Sequence, residues 1–181
     1  LVGVFVEDVT ASLEGSIPPI AEPAQRSRRA EQLRRDVVNE AFNLCTAFMD
    51  VDGRHTDNEM WALAETFGPL MPETQLAGAT PKLLRNSTLV ANKAPWLDTI
   101  STLFDILSTA DGRDGGDRAM RYCRHALDIC HLIVSLDEVA AQDELRAIGA
   151  FRSMLLTHIR EAVPASASAT NATAAPAGEV A

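Results

Sequence analysis

The feature that most constrains this chain is the recurrence of apolar residues at helical spacing between its glycine and proline breaks. Val2, Val6, Val9 and Leu13 fall at i, i+4, i+7 and i+11, one face of a helix. Val2, Val4 and Val6 also alternate, so a strand over the first six residues stays open. Gly15, Pro18, Pro19 and Pro23 then interrupt the pattern. A long helix is expected from about Ala24 to Met49, with Leu33, Val37, Ala41, Leu44, Cys45 and Phe48 on its apolar face. Asp50–His55 reads as a turn, and Thr56–Phe67 as a helix ended by Gly68, Pro69 and Pro72. Thr80 before Pro81 is a good N-cap and first-turn pair, so a short helix is expected within an otherwise irregular 73–94. Pro95 opens another expected helix, with Trp96, Ile100, Leu103, Phe104 and Leu107 inward, and 110–116 reads as a loop. Two further helices are expected over about Asp117–Leu136 and Gln142–Glu161. No strand-pairing signal competes, so the fold class expected is an all-α helical bundle.

A chain of 181 residues suits one domain with tails. Its formal charge of −9 argues against a nucleic-acid binder, which needs a basic footprint. No apolar run approaches the roughly 18–20 residues of a membrane span. Three cysteines make no disulfide framework, and no secretory pattern opens the chain, so a cytoplasmic location is expected. Pro164–Ala181 is almost wholly Ala, Ser, Thr, Pro and Gly, the composition of a disordered tail or linker. The expected organisation is an N-terminal helix and Pro-rich connector over 1–23, a helical domain over 24–163, and the tail over 164–181. Opening on Leu1 and closing in linker-like sequence, the chain is expected to be a module of a longer protein.

A shift of 85 residues superposes 43–64 on 128–149 and matches Cys45 with Cys130, Asp52 with Asp137, Glu59 with Glu144 and Ala62 with Ala147. Leu44 with Ile129 and Phe48 with Ile133 are among the apolar pairs that also match. Each copy is an apolar helix, an Asp at its end, a short turn, and a Glu seven residues on that opens the next helix. Carboxylates converging across such a turn repel one another unless a cation lies between them, and oxygen-only ligands suit Ca²⁺, Mg²⁺ or Mn²⁺. Site one would use Asp50, Asp52 and Glu59, helped by Asp57. Site two would use Asp137, Glu138 and Glu144. The 50–61 stretch is not an EF-hand: its glycine is at loop position 4 rather than 6, and position 12 is Trp61. A plainer reading stands beside the metal. Thr56-x-x-Glu59 is a capping box that explains Glu59 with no ion, and Asp50 and Asp52 can simply solvate a turn. In the second copy Ala141 occupies the capping position and cannot cap, yet Glu144 is still present.

The string AFMDVDGRHTDNEMWAL resembles the signature of TerB-like domains, the tellurite-resistance family, in which an apolar helix leads into A-D-G and a Glu that opens the next helix. Asp52, Gly53 and Glu59 fit that form, and SLDEVAAQDELRAI is similar to the family's second half, with Asp137 and Glu144 in register and Glu138 where the family has glycine. The resemblance covers roughly residues 30–160. It implies an all-helical domain with internal pseudo-two-fold symmetry, and acidic residues at paired turns that bind a divalent metal. It also implies a role in a stress-response or regulatory assembly, alone or fused to modules such as J-domains and ATPases. The alternative is a metal-free protein-interaction domain, fused to or partnering an effector such as an AAA-type ATPase.

Catalysis is not expected of this segment. It holds no G-x-S-x-G, no H-E-x-x-H and no G-x-x-x-x-G-K-[ST], so any ATPase activity would lie beyond Ala181. Cys45, Cys123 and Cys130 read as small core residues, though His125 and His131 share a helix with two of them. Asp111–Asp117 reads as a helix–helix turn, with Asp114 or Asp117 able to cap the next helix. Arg26, Arg28, Arg29, Arg34 and Arg35 read as a solvated face, with docking to an acidic partner as the sharper alternative.

Overall fold

The computed structural model describes residues 1–20, 22–136 and 142–162. Among these, seven α-helices follow one another: α1 (Val2–Ser16), α2 (Pro23–Met49), α3 (Asp57–Phe67), α4 (Pro81–Arg85), α5 (Thr102–Asp114), α6 (Arg118–Val134) and α7 (Gln142–Ala162). Two 3₁₀ turns, Pro72–Thr74 and Ala94–Asp98, complete the regular structure, and no described residue forms a strand. The architecture is an all-α bundle. No described helix is long and apolar enough to cross a membrane.

α1 has no side-chain cap and too few residues to persist alone, so it is ordered by packing. Its buried face is Val2, Phe5, Val6, Val9 and Leu13, which settles the first six residues as helix rather than strand. Phe5 completes that face and meets the Tyr122 ring edge-on, with centroids 5.2 Å apart. α1 lies against α2, α5 and α6, so the residues of the N-terminal helix share one core with the rest of the bundle. Polar contacts fix the α1–α6 register: Asp8 accepts from Arg121 at 3.0 Å, and His125 Nε2 lies 3.2 Å from the same carboxylate.

α2 buries nothing before Val37. Its basic first half is held locally instead. Arg26 donates to the Ile20 carbonyl, Arg29 to the Pro18 carbonyl, and Arg35 pairs with Glu31. Beyond Val37 the helix enters the core, where Phe42 meets Phe67 of α3 and Phe48 meets Phe151 of α7, both edge-on.

Two sequence expectations shift by several residues. Pro95 begins only the 3₁₀ turn Ala94–Asp98; the chain then extends through Thr99, and Ser101 caps a separate helix by accepting from the Phe104 amide at 3.2 Å. α5 continues through the stretch expected as a loop, as far as Asp114. Buried Ala110 keeps that turn in the core, and Asp111 and Asp114 both bind Arg118 of α6. Gly115, at φ +73°, then ends α5.

Candidate functional site

The first acidic turn is a set of three separate hydrogen-bonding systems. Thr56 caps α3, and Glu59, one turn in, closes the capping box: its Oε2 accepts from the Thr56 amide at 2.8 Å and from the Thr56 hydroxyl at 3.0 Å. Glu59 is only 1% exposed. Asp52 accepts from the Arg54 amide at 2.8 Å, the aspartate turn that carries the chain through Gly53 at φ +68°. Asp50 reaches furthest. Its Oδ2 accepts from the backbone N–H groups of Lys93 (2.6 Å) and Ala94 (3.2 Å), at the start of the 3₁₀ turn. Its Oδ1 lies 3.2 Å from His55 Nε2, at ion-pair distance but too bent for a hydrogen bond. Asp57 pairs with Arg85 of α4, whose guanidinium also donates to the His55 carbonyl.

In the second acidic turn, Asp137 and Glu138 lie outside the described residues. Glu144 sits in the first turn of α7 and, like Glu59, is 1% exposed. The two glutamates paired by the 85-residue shift thus share a position on their helices and a degree of burial. Cys45 and Cys130, also paired by the shift, are both buried. Among the described residues no group of three or more His, Cys, Asp or Glu side chains is disposed to hold a metal ion.

Other candidates resolve into structural roles. Cys45, Cys123 and Cys130 are free and buried; burial pushes the Cys45 thiol up to about 12 and raises the other two. In the Asp111–Asp117 stretch a guanidinium stands between the acids: Arg118 binds Asp111 at 2.9 Å and Asp114 at 2.7 Å, and holds the Asp114 carboxyl below its usual range. Asp111, rather than Asp114 or Asp117, accepts from a first-turn amide of α6, that of Ala119, at 2.8 Å.

Sequence reasoning missed two features. The first is a buried polar contact. Glu40 of α2, 7% exposed, accepts a short hydrogen bond from the Tyr122 hydroxyl of α6. Burial raises the Glu40 carboxyl above its ordinary value, and hydrogen bonds from Ser101 and Tyr122 partly oppose it. Burial, reinforced by the Glu40 charge, also pushes the Tyr122 phenol well up. The partners are 82 residues apart, and nothing local marks Glu40 for the core.

The second is a groove of about 410 Å³ between α6 and α7. Its α6 wall carries Met120, Cys123, Arg124, Leu127 and His131, and its α7 wall Leu145, Ile148, Gly149, Arg152 and Leu156. Leu145 is 52% exposed and Met120 is 42% exposed. Both walls follow the spacing i, i+3 or i+4, i+7, i+11, so the groove runs for about three helical turns, or roughly 16 Å. The period was legible in the sequence; which apolar face stays uncovered was not.

No family model matches the chain, and comparison with curated proteins and with solved structures finds no match.

Proposed function

We propose that this chain is a helical protein-interaction module that serves a stress-response or regulatory assembly, docked to or fused with an effector such as an AAA-type ATPase. One observation carries the reading: the α6/α7 groove leaves Met120 on its α6 wall and Leu145 on its α7 wall open to solvent. Large side chains left uncovered in an ordered groove mark interaction surfaces more often than lone exposed residues do. The TerB resemblance agrees with a role in assembly rather than turnover, and no catalytic motif competes with it.

The test is co-purification with the tagged chain and with its Met120→Asp/Leu145→Asp variant. A partner recovered by the native chain and lost from an equally stable variant supports the reading. Equal recovery moves the interaction to another surface, and recovery of no partner by either chain counts against an interaction role.

A second reading keeps a divalent cation at the paired acidic turns. The matched burial of Glu59 and Glu144 in first helical turns favours it. Against it, one oxygen of each, Oδ2 of Asp50 and Oε2 of Glu59, already serves backbone donors. Calorimetric titration of the chelator-treated chain with Ca²⁺, Mg²⁺ and Mn²⁺ separates the readings. Binding lost in Asp52→Asn supports the cation, and no heat with any of the three removes it.

A further inference from the structure

We infer that the α6/α7 groove takes an amphipathic helix flanked by carboxylates, and that this helix crosses α7 at Gly149. The inference rests on the interaction reading above and names the partner's chemistry. Three observations carry it.

The first is charge. The chain is acidic overall, at −9, yet the charged side chains lining the groove are Arg124 and Arg152, joined by titratable His131. Neither arginine has an ion pair within the described residues, and nor does Arg160 near the end of α7, whereas Arg118, Arg121 and Arg146 on the same two helices are paired; of the three unpaired arginines, Arg124 and Arg152 are the two that line the groove. An acidic partner would complete them. A second copy of this chain would set arginine against arginine in a two-fold pairing, which disfavours self-association.

The second is Gly149. Glycine inside a helix is less stable than alanine, because its backbone loses more freedom on folding. Its own fold does not require it here: φ is ordinary, and an added Cβ would meet nothing within 4 Å. Gly3 and Gly15 of α1 are equally uncrowded, but of the three only Gly149 lines the groove, where a missing side chain admits a closely approaching backbone. Helices cross closely where one of them lacks a side chain.

The third is form. Two parallel ridges of apolar residues with a helical repeat, about three turns long, receive a helix with anchors at i, i+3 or i+4, and i+7. An extended peptide would need a row of free backbone donors and acceptors, which the ridges of two α-helices do not offer.

The test uses the full chain and two dye-labelled helical peptides of roughly 12 residues, matched to the groove length. Both carry the same leucine stripe; one is flanked by glutamates and the other by lysines. Fluorescence anisotropy should show the glutamate peptide bound at least about tenfold tighter at low salt, with the preference shrinking between roughly 0.05 and 0.5 M. Arg124→Glu/Arg152→Glu should reverse the preference. Gly149→Ala should raise the melting temperature, because it repairs the helix, and Gly149→Leu should weaken glutamate-peptide binding by about tenfold or more without lowering it. A purely structural glycine would not separate stability from binding in that way. Equal or tighter binding of the lysine peptide would overturn the acidic partner while leaving the groove as a docking site. Binding of neither peptide, with a natural partner still recovered by Gly149→Leu, would overturn the groove and leave the interaction reading to another surface.

Discussion

Replacing Asp50 with alanine separates a structural anchor from a metal ligand. In the structure its carboxylate joins the end of α2 to the start of the Ala94–Asp98 turn through two backbone N–H groups, at 2.6 and 3.2 Å, across more than forty residues of chain. Hydrogen bonds to a charged acceptor contribute about 1.5–3 kcal/mol each, and losing a helix-capping side chain costs about 0.5–2 kcal/mol. The two donors share one oxygen at a partly buried site, so their contributions overlap; Asp50→Ala should cost about 2–3 kcal/mol. In a chain of this size that lowers Tm by roughly 5–10 °C. Asp50→Asn keeps an acceptor and should lose about half as much. Urea and thermal melts with and without EDTA give the readout. On the anchoring account chelation leaves the native Tm unchanged, and the two variants fall in that order. Melts of both variants within about 1 °C of the native chain would refute the anchor. A native Tm that drops with EDTA, and no longer does so in Asp50→Ala, would make the carboxylate a ligand instead.

Two further outcomes follow from the buried groups. Glu40 has its carboxyl raised by burial, so the folded state favours the protonated form; the stability this contributes is complete below the ordinary value of 4.5 and is lost as pH rises through the raised one. Glu40→Gln should therefore raise Tm at pH 7–8 and bring little change near pH 4, and a difference that grows toward acid would contradict the sign. Gly68 ends α3 with no room for a methyl group: an added Cβ would meet the Ala64 carbonyl oxygen at 2.7 Å and the Ala77 Cα at 2.9 Å, both backbone atoms. Gly68→Ala should lose about 1–3 kcal/mol in urea unfolding, opposite in sign to Gly149→Ala, and a neutral result would mean that the 68–77 approach yields freely.

The sequence marked local structure well and contacts between distant segments poorly. The expected boundaries of α2, α6 and α7 lie within two residues of those observed, because apolar periodicity and first-turn signals are local properties. α5 was misplaced for non-local reasons. The break after Pro95 depends on Asp50 holding the 3₁₀ turn in place, and the helix continues past Ala110 because Arg118, further along the chain, gathers Asp111 and Asp114. The same division runs through the site. Thr56 and Glu59 stand three residues apart, and their capping box was readable. The role of Asp50 as an anchor and the Glu40–Tyr122 contact join residues 43 and 82 apart, and no spacing rule reaches them. Repeated acids suggested ligands because sequence gives the spacing of carboxylates but not the backbone amides that meet them. The groove was half legible: its helical stripe shows in the periodicity, while its openness follows from the absence of any described element over α6 and α7.

The interaction reading turns on whether something binds that groove in the cell. A photo-crosslinking residue at Leu145, inside the groove, against one at Leu83, which is equally apolar and 65% exposed on α4, addresses it most directly. The account predicts one discrete crosslinked product from position 145 and none from 83, with the captured peptide an amphipathic helix bearing carboxylates beside its apolar stripe. Crosslinks from 83 alone, or from both positions without preference, would contradict it.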